Sequence, residues 1–146
     1  MSQYLIKNVI YVKGHFTDQD MLLRILLFKL FNNIETWEYL KENLGEITYH
    51  DFDYEHYDKL LLQRMIKGDR LYSAAYIMPS AKGMFGFDRK HQNHLKLLDH
   101  MMRTGLPGKI ARARNLGELY QALLSYPSLG SFLAYQFAID INYSEL

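Results

Sequence analysis

The stretch LLFKLFNNIETWEYL, residues 26–40, decides how the chain is read. A helix this apolar on every side has no face to give to water, so it must be buried. It nevertheless carries hydrophilic groups that a core does not require. Along a continuous helix Lys29, Asn33 and Trp37 fall at i, i+4 and i+8, which stacks a cation, an amide and an indole on one face. With Asn32 beside Asn33, that set has the composition of a pocket for a planar, polar ligand. The indole stacks, the amides read polar edges and the lysine neutralises an anion. The same residues also have a structural reading, in which Lys29 snorkels near a helix C-terminus, an asparagine caps that end and Trp37 is core.

Helical periodicity extends outward through residues 3–12, 17–31, 34–43, 54–66, 71–77, 89–103, 116–125 and 131–142. Thr17 is the expected N-cap of the second segment, with Asp18 and Asp20 in its first turn. Gly45, Gly68 and Gly105 sit where helices should stop. Gly14 and residues 79–86 and 106–108 read as loops, and residues 46–49 as a short extended piece. Helix follows helix with short connections. The expected fold is therefore all-α: an irregular helical bundle, not an up-down four-helix bundle, with residues 1–146 as a single helical domain.

Composition narrows the function classes. A chain of 146 residues buries roughly 70% of its unfolded surface, enough for a core. Apolar residues at 49% and charged ones at 23% mark a globular chain. With no cysteine, there is no disulfide framework and no thiolate metal site, which fits a reducing, cytoplasmic compartment. No apolar run reaches the ~18 residues that span a bilayer, and MSQYLIKNVIYVKG lacks the small-residue cleavage site of a secretory leader, so no membrane role is expected. Net charge is only +1, so nucleic-acid binding must come from a local patch. Twelve tyrosines suit surfaces that are dry at one end and hydrogen-bonded at the other.

One such patch is FDRKHQNH, residues 87–94. Asp88 can cap a helix whose first turn holds Arg89, Lys90 and His91. Cations there oppose the macrodipole, at a cost of about 0.3–1 kcal/mol each. A bound anion reverses that sign, because free N–H groups, dipole and side chains then converge on it. Lys82, Gly83 and Gly86 allow close backbone approach. The patch reads either as a phosphate site, to which His94 also contributes, or as solvated surface charge. His91 and His94 form an HxxH pair on the apolar stripe of Leu95, Leu98, Met101 and Met102, and no metal site is assigned to them, since HxxH alone is a weak signal. The acidic run HDFDYEHYD, residues 50–58, reads as a solvated helix start, with magnesium as the alternative.

Near the C-terminus, SYPSLGSFLAYQ, residues 125–136, resembles the helix-hairpin-helix element of DNA glycosylases, which offers backbone N–H groups to a DNA phosphate. Ser128 stands at the first hairpin glycine, and Ser131 and Phe132 stand where a cation usually follows. Beyond it Gln136, Asp140 and Tyr143 form a polar stripe on an otherwise apolar helix. A buried carboxylate needs a partner, and Lys29 is the candidate. Such a pair is either structural glue or a general base. The chain has no GxxxxGK[ST] loop, no GxGxxG, no nucleophile elbow and no cysteine nucleophile.

Three blocks, ILLFKLFNNIETWEYL, then AAYIMP with KHQNHLKLLDHMM, then YPSLGSFLAYQFAIDINYSEL, resemble in that order the helical domain of phage 5-hydroxymethyluracil DNA kinases. The same domain looks shared with the alpha-glutamyl/putrescinyl thymine pyrophosphorylases of DNA hypermodification. The likeness runs from Gln3 to the end. It implies a glycosylase-like helical fold acting on a modified thymine-type base in DNA by phosphoryl or pyrophosphoryl chemistry, in a bacterial or phage-infected cell. The family domain usually begins upstream with an arginine-containing block and continues into a Gly-Pro-Gly segment. This chain has neither, and reads as a compact version or a piece of a larger protein.

The resemblance and the residues together give a set of roles. Trp37 with Tyr76 or Tyr143 would stack on an extruded base. Asn32 and Asn33 would supply pocket amides, and Arg89, Lys90, His91 and His94 would hold phosphate. Asp140, oriented by Gln136 and near Lys29, would move a proton. Mg2+ and ATP are the expected cofactors of phosphoryl chemistry, and DNA and a partner enzyme chain the expected partners. Two other classes compete: a non-catalytic nucleic-acid-binding module, and a protein-interaction domain in which the tyrosines form the interface.

Overall fold

The structure is a computed structural model that describes residues 4–10, 16–73, 85–87, 89–126, 129 and 131–143. Among the described residues the regular elements are all helical. A π-helical segment, Leu5–Ile10, precedes α1 (Asp18–Phe31), α2 (Ile34–Leu44), α3 (Tyr54–Ile66), α4 (Lys90–Arg103), α5 (Leu106–Arg112), α6 (Leu116–Leu124) and α7 (Ser131–Tyr143).

Helix α1 is the hub. The π-helical segment, α2, α4, α5 and α7 all pack against it. A helix surrounded in this way must be apolar all round, and Leu22, Leu23, Ile25, Leu26, Leu27 and Leu30 are all sealed from solvent. Its start is set by a capping box: Asp20 N–H donates to Thr17 Oγ1 at 3.1 Å, and Thr17 N–H donates to the Asp20 carboxylate at 3.0 Å. Buried Arg24 is spent on the architecture. It donates to the Val9 carbonyl at 3.1 Å and the Ile47 carbonyl at 3.3 Å, and its guanidinium lies over the Phe16 and Trp37 rings. Burial lowers its pKa, against the pull of Glu46.

The separation of segments 17–31 and 34–43 is as expected, and so is the structural reading with an asparagine cap between them and Trp37 in the core. Several other expectations are corrected. Helix α1 does not run on into α2. It ends at Phe31, Asn32 turns left-handed at φ 49°, and Asn33 caps the next helix. The face joining Lys29, Asn33 and Trp37 therefore does not form. Trp37 is 2% exposed, edge-on to Phe28 at 6.0 Å between ring centres, and walled by Leu27, Phe31 and Leu40. Hydrocarbon fills the place a base would need. Residues 106–108 open a helix instead of a loop: Gly105 at φ 89° ends α4, Pro107 is tolerated in a first turn, and Leu106 and Ile110 gain burial. Residues 46–49 are coil, held where Tyr49 N–H meets Asp20 at 2.8 Å. Residues 71–73, expected to begin a helix, are also coil, and 74–77 lie outside the described residues. The first segment is π-helical, not α-helical.

Helices α6 and α7 pack closely as a pair, the arrangement the hairpin likeness implies, though residues 127, 128 and 130 between them lie outside the described residues. No helix among the described residues is long and apolar enough to cross a membrane. Helix α7 is tied to α1 by the pair anticipated from sequence: Lys29 Nζ lies 2.8 Å from Asp140 Oδ2, with side chains 9% and 6% exposed.

Removing one partner of such a pair strands a buried charge. Asp140→Ala is expected to cost about 3–5 kcal/mol, whereas Lys29→Met with Asp140→Leu restores stability to the wild-type level or above it. Urea unfolding measures both. A single-variant loss below about 1 kcal/mol would mean the pair behaves as an exposed one.

Candidate nucleic-acid interface

Three hydrogen bonds staple residues 70–73 to the junction between α1 and α2. Asn33 Nδ2 donates to the Arg70 carbonyl at 3.2 Å, Thr36 Oγ1 to the Leu71 carbonyl at 2.8 Å, and Ser73 N–H to the Phe31 carbonyl at 2.9 Å. Tyr72 is held from two further sides. Its ring packs on Phe31 with centres 5.0 Å apart, and its hydroxyl meets His94 Nδ1 on α4 at 2.7 Å. Burial pushes the Tyr72 phenol well above its ordinary pKa, so the hydroxyl stays protonated.

This coil forms one wall of a cavity of about 660 Å³. Arg70, Tyr72 and Ser73 face it from the coil, Met65 and Leu71 add apolar lining, Asp69 adds a carboxylate that pairs with Arg64, and Arg89, Lys90 and His91 approach from the start of α4. The Lys90 ammonium sits 4.4 Å from the Tyr72 ring centre, and partial burial lowers its pKa. Helix α4 has no side-chain cap: Arg89 occupies the N-cap position without a capping hydrogen bond. Among the described residues no side chain caps its first N–H groups and positive dipole end. The entry of the chain into α4 is fixed by Asn93, which bonds both the N–H and the carbonyl of Phe87, at 3.0 and 2.8 Å. A second hollow, of about 350 Å³, shares Arg70, Tyr72 and Ser73 and is closed by Asn32, Asn33, Ile34 and Glu35.

Of the residues singled out from sequence, Arg89, Lys90 and His91 line the cavity and Asn32 and Asn33 line the second hollow. Several of the singled-out side chains are committed to partners. His91 is 1% exposed, with Nε2 2.6 Å from Asp58, a carboxylate that also accepts from Gln92. His94 is fully buried and engaged with Tyr72. Neither imidazole is presented to a phosphate, because each is committed to a partner. Asn33 is consumed as a cap, accepting from Glu35 and Thr36 N–H groups, so it is not a pocket amide. Lys29 and Asp140 line neither of these hollows, and their pair ties α7 to α1. Gln136 is half-buried one turn before Asp140 and makes no hydrogen bond to it among the described residues. Tyr76, Asp88, Lys82, Gly83 and the Tyr143 side chain lie outside the described residues. In the acidic run, Asp53 caps α3 and Asp58 serves His91; among the described residues no three His, Asp or Glu side chains converge to hold a metal ion.

Two residues of the cavity were missed from sequence, Arg70 and Tyr72. Their signal was DRLYS directly after Gly68, a cation two positions before a tyrosine in extended chain. The helical assignment of 71–77 hid it, since on a helix those side chains diverge.

A family model described as 5-hmdU DNA kinase, helical domain, matches residues 1–146, the whole chain. The chain belongs to that family. No curated protein and no solved structure matches it. Membership gives this helical domain of the 5-hmdU DNA kinase family a DNA-modification context, and the matching description names the kinase alone.

The buried imidazole beside the cavity gives this kinase-family domain a pH signature. Burial lowers the His91 pKa below 6.5, with Arg89 acting in the same direction and Asp58 opposing. Below pH 6.5 the unfolded chain takes up a proton that the folded chain resists, so stability falls on acidification until the folded-state pKa is passed. His91→Gln is expected to flatten this slope between pH 7 and pH 5 in urea midpoints. A slope identical to wild type would remove His91 as its source.

Proposed function

We propose that this domain holds DNA carrying 5-hydroxymethyluracil, or a closely similar thymine-type base, for phosphoryl transfer to the base. The observation that carries the reading is the cavity in which Lys90 lies over Tyr72 at the uncapped start of α4, flanked by Arg70 and Arg89. Its size falls in the range of ligand sites, roughly 300–1,000 Å³. Cations and a helix N-terminus suit a phosphate, and a tyrosine face suits a base. Base–aromatic stacking contributes about 1–3 kcal/mol. Enzymes that modify a base in duplex DNA first extrude it, and Tyr72, locked by His94 and Phe31, offers a rigid ring to receive it.

In the reaction the family's name implies, the hydroxymethyl oxygen gains a phosphoryl group from ATP, loses its proton and releases ADP. Among the described residues no three His, Asp or Glu side chains converge to hold a metal ion, and the sequence carries no P-loop. We assign this chain the DNA-holding part, and the handling of ATP and magnesium to a partner enzyme chain. A purely DNA-binding module shares the same cavity, and the fact that Asp140 is spent on Lys29 favours it over autonomous catalysis.

Fluorescence anisotropy with duplexes containing thymine or 5-hydroxymethyluracil, and with ATP alone, tests the assignment. The modified duplex is expected to bind best, with affinity falling as salt rises. Lys90→Glu should weaken DNA binding by about tenfold or more and reduce the salt slope by roughly one, with the melting temperature unchanged because Lys90 is only half-buried. Unchanged binding in a folded Lys90→Glu variant would move the interface elsewhere, and saturable ATP binding without DNA binding would make the cavity a nucleotide site.

A further inference from the structure

Among the described residues, few buried side-chain polar atoms lack a hydrogen-bond partner: Nδ2 and Oδ1 of Asn32, Nε1 of Trp37 and Nε of Arg64. Arg64 otherwise pairs with Glu35 and Asp69 through its terminal nitrogens, and Trp37 is set among hydrocarbon. Asn32 is different, because its whole functional group is unpaired in a residue only 2% exposed. Folded proteins rarely leave buried donors and acceptors in this state. The left-handed backbone at Asn32 explains an asparagine at the position. It does not explain an amide turned inward with nothing to bond. That amide belongs to the residue lining the second hollow, whose other lining includes Arg70, Tyr72 and Ser73 of the cavity wall.

We infer that the Asn32 carboxamide determines base specificity, pairing edge to edge with the imide face of an extruded uracil-type base. This rests on the proposed function above. A uracil-type ring presents an N3–H donor beside carbonyl acceptors. A carboxamide presents an acceptor beside a donor, so Oδ1 accepts from N3–H while Nδ2 donates to the neighbouring ring carbonyl. Two parallel bonds then satisfy both atoms that are unpaired in the structure. Asn33 cannot do the same, since its amide already holds two N–H groups and the Arg70 carbonyl. Both Asn32 amide atoms are closed to water, so the base engages them as the Asn32 side chain changes rotamer toward the hollow it borders, with the coil still stapled. A site built to bond a polar edge rejects ligands that lack it far better than one built on shape alone.

The test compares oligonucleotides carrying 5-hydroxymethyluracil and its N3-methyl derivative, which keeps the ring and the hydroxymethyl group but lacks the N3–H donor. Wild type is expected to prefer the unmethylated base by about tenfold or more. Asn32→Asp keeps a residue at home in the left-handed region and keeps the acceptor, but loses the donor to the ring carbonyl. Asn32→Gly keeps the backbone and removes the amide. Asn32→Gly should lose most of the preference and Asn32→Asp part of it, while binding to unmodified DNA and its salt dependence stay as in wild type. Full preference retained in folded variants, or preference absent from a wild type that binds DNA through Lys90, overturns the role of Asn32 and leaves the interface standing. Failure of wild type to bind DNA, or indifference to Lys90→Glu, instead overturns the proposed function. Should both variants fail to fold, the Asn32 side-chain NH2 resonances of wild type decide: they shift on titration with the 5-hydroxymethyluracil oligonucleotide, and their constancy would refute the contact.

Discussion

Asn33 holds three backbone groups at once: the Glu35 and Thr36 N–H groups through Oδ1, and the Arg70 carbonyl through Nδ2. The first two start α2, and the third draws in a coil nearly forty positions along the chain. Everything that faces the cavity from residues 70–73 follows from that attachment and its neighbours, Thr36 to Leu71 and Ser73 to Phe31. A coil free to wander pays entropy each time it binds. Stapled here, Arg70 and Tyr72 meet the start of α4 already in position, and His94 fixes the tyrosine from the far side. The junction works because Asn32 accepts a left-handed turn, so that the buried α1 and the amphipathic α2 meet with only two residues between them.

The hydrophilic groups of the interior divide into two sets. Arg24, Lys29, Asp140, His91 and His94 are each consumed by a structural partner: carbonyls, the opposite charge, or a neighbouring side chain. Burying them is costly unless every one is paired, and pairing is what removes them from the ligand's reach. Asn32 is unpaired and Lys90 is matched only with an aromatic face, and both lie along the same coil. Local concentration of Arg70, Arg89 and Lys90 also reconciles a chain of net charge +1 with a polyanionic partner, since the Debye length of about 10 Å lets a patch act independently of the whole.

Helix content, the Thr17 N-cap and the Lys29–Asp140 bridge were legible in the sequence. Each follows from local spacing or from the single rule that a buried charge requires a partner. The break at Asn32 was legible in part. The periodic segments 17–31 and 34–43 part there, and the structural reading placed an asparagine cap at that end and Trp37 in the core, as found. The face joining Lys29, Asn33 and Trp37 assumed one continuous helix, and the left-handed backbone at Asn32 breaks it. That one angle returned Trp37 to the core and freed Asn32 from Asn33. Tyr72 was lost for the same kind of reason, a coil mistaken for a helix whose side chains would have pointed elsewhere. His91 and His94 were placed at the right helix start, but their partners, Asp58 and Tyr72, lie 33 and 22 residues away, beyond any pattern in the local sequence.

Membership in the 5-hmdU DNA kinase helical-domain family gives a DNA-modification context, and the proposed interface is where the end of α1, the 70–73 coil and the start of α4 converge. Hydrogen–deuterium exchange of the chain with and without a 5-hydroxymethyluracil duplex tests that convergence most directly. Protection concentrated at residues 70–73 and 89–93, with the α6–α7 pair unchanged, is the predicted result. Protection centred instead on the α6–α7 pair, with the coil unaffected, would contradict it and hand DNA binding to the hairpin.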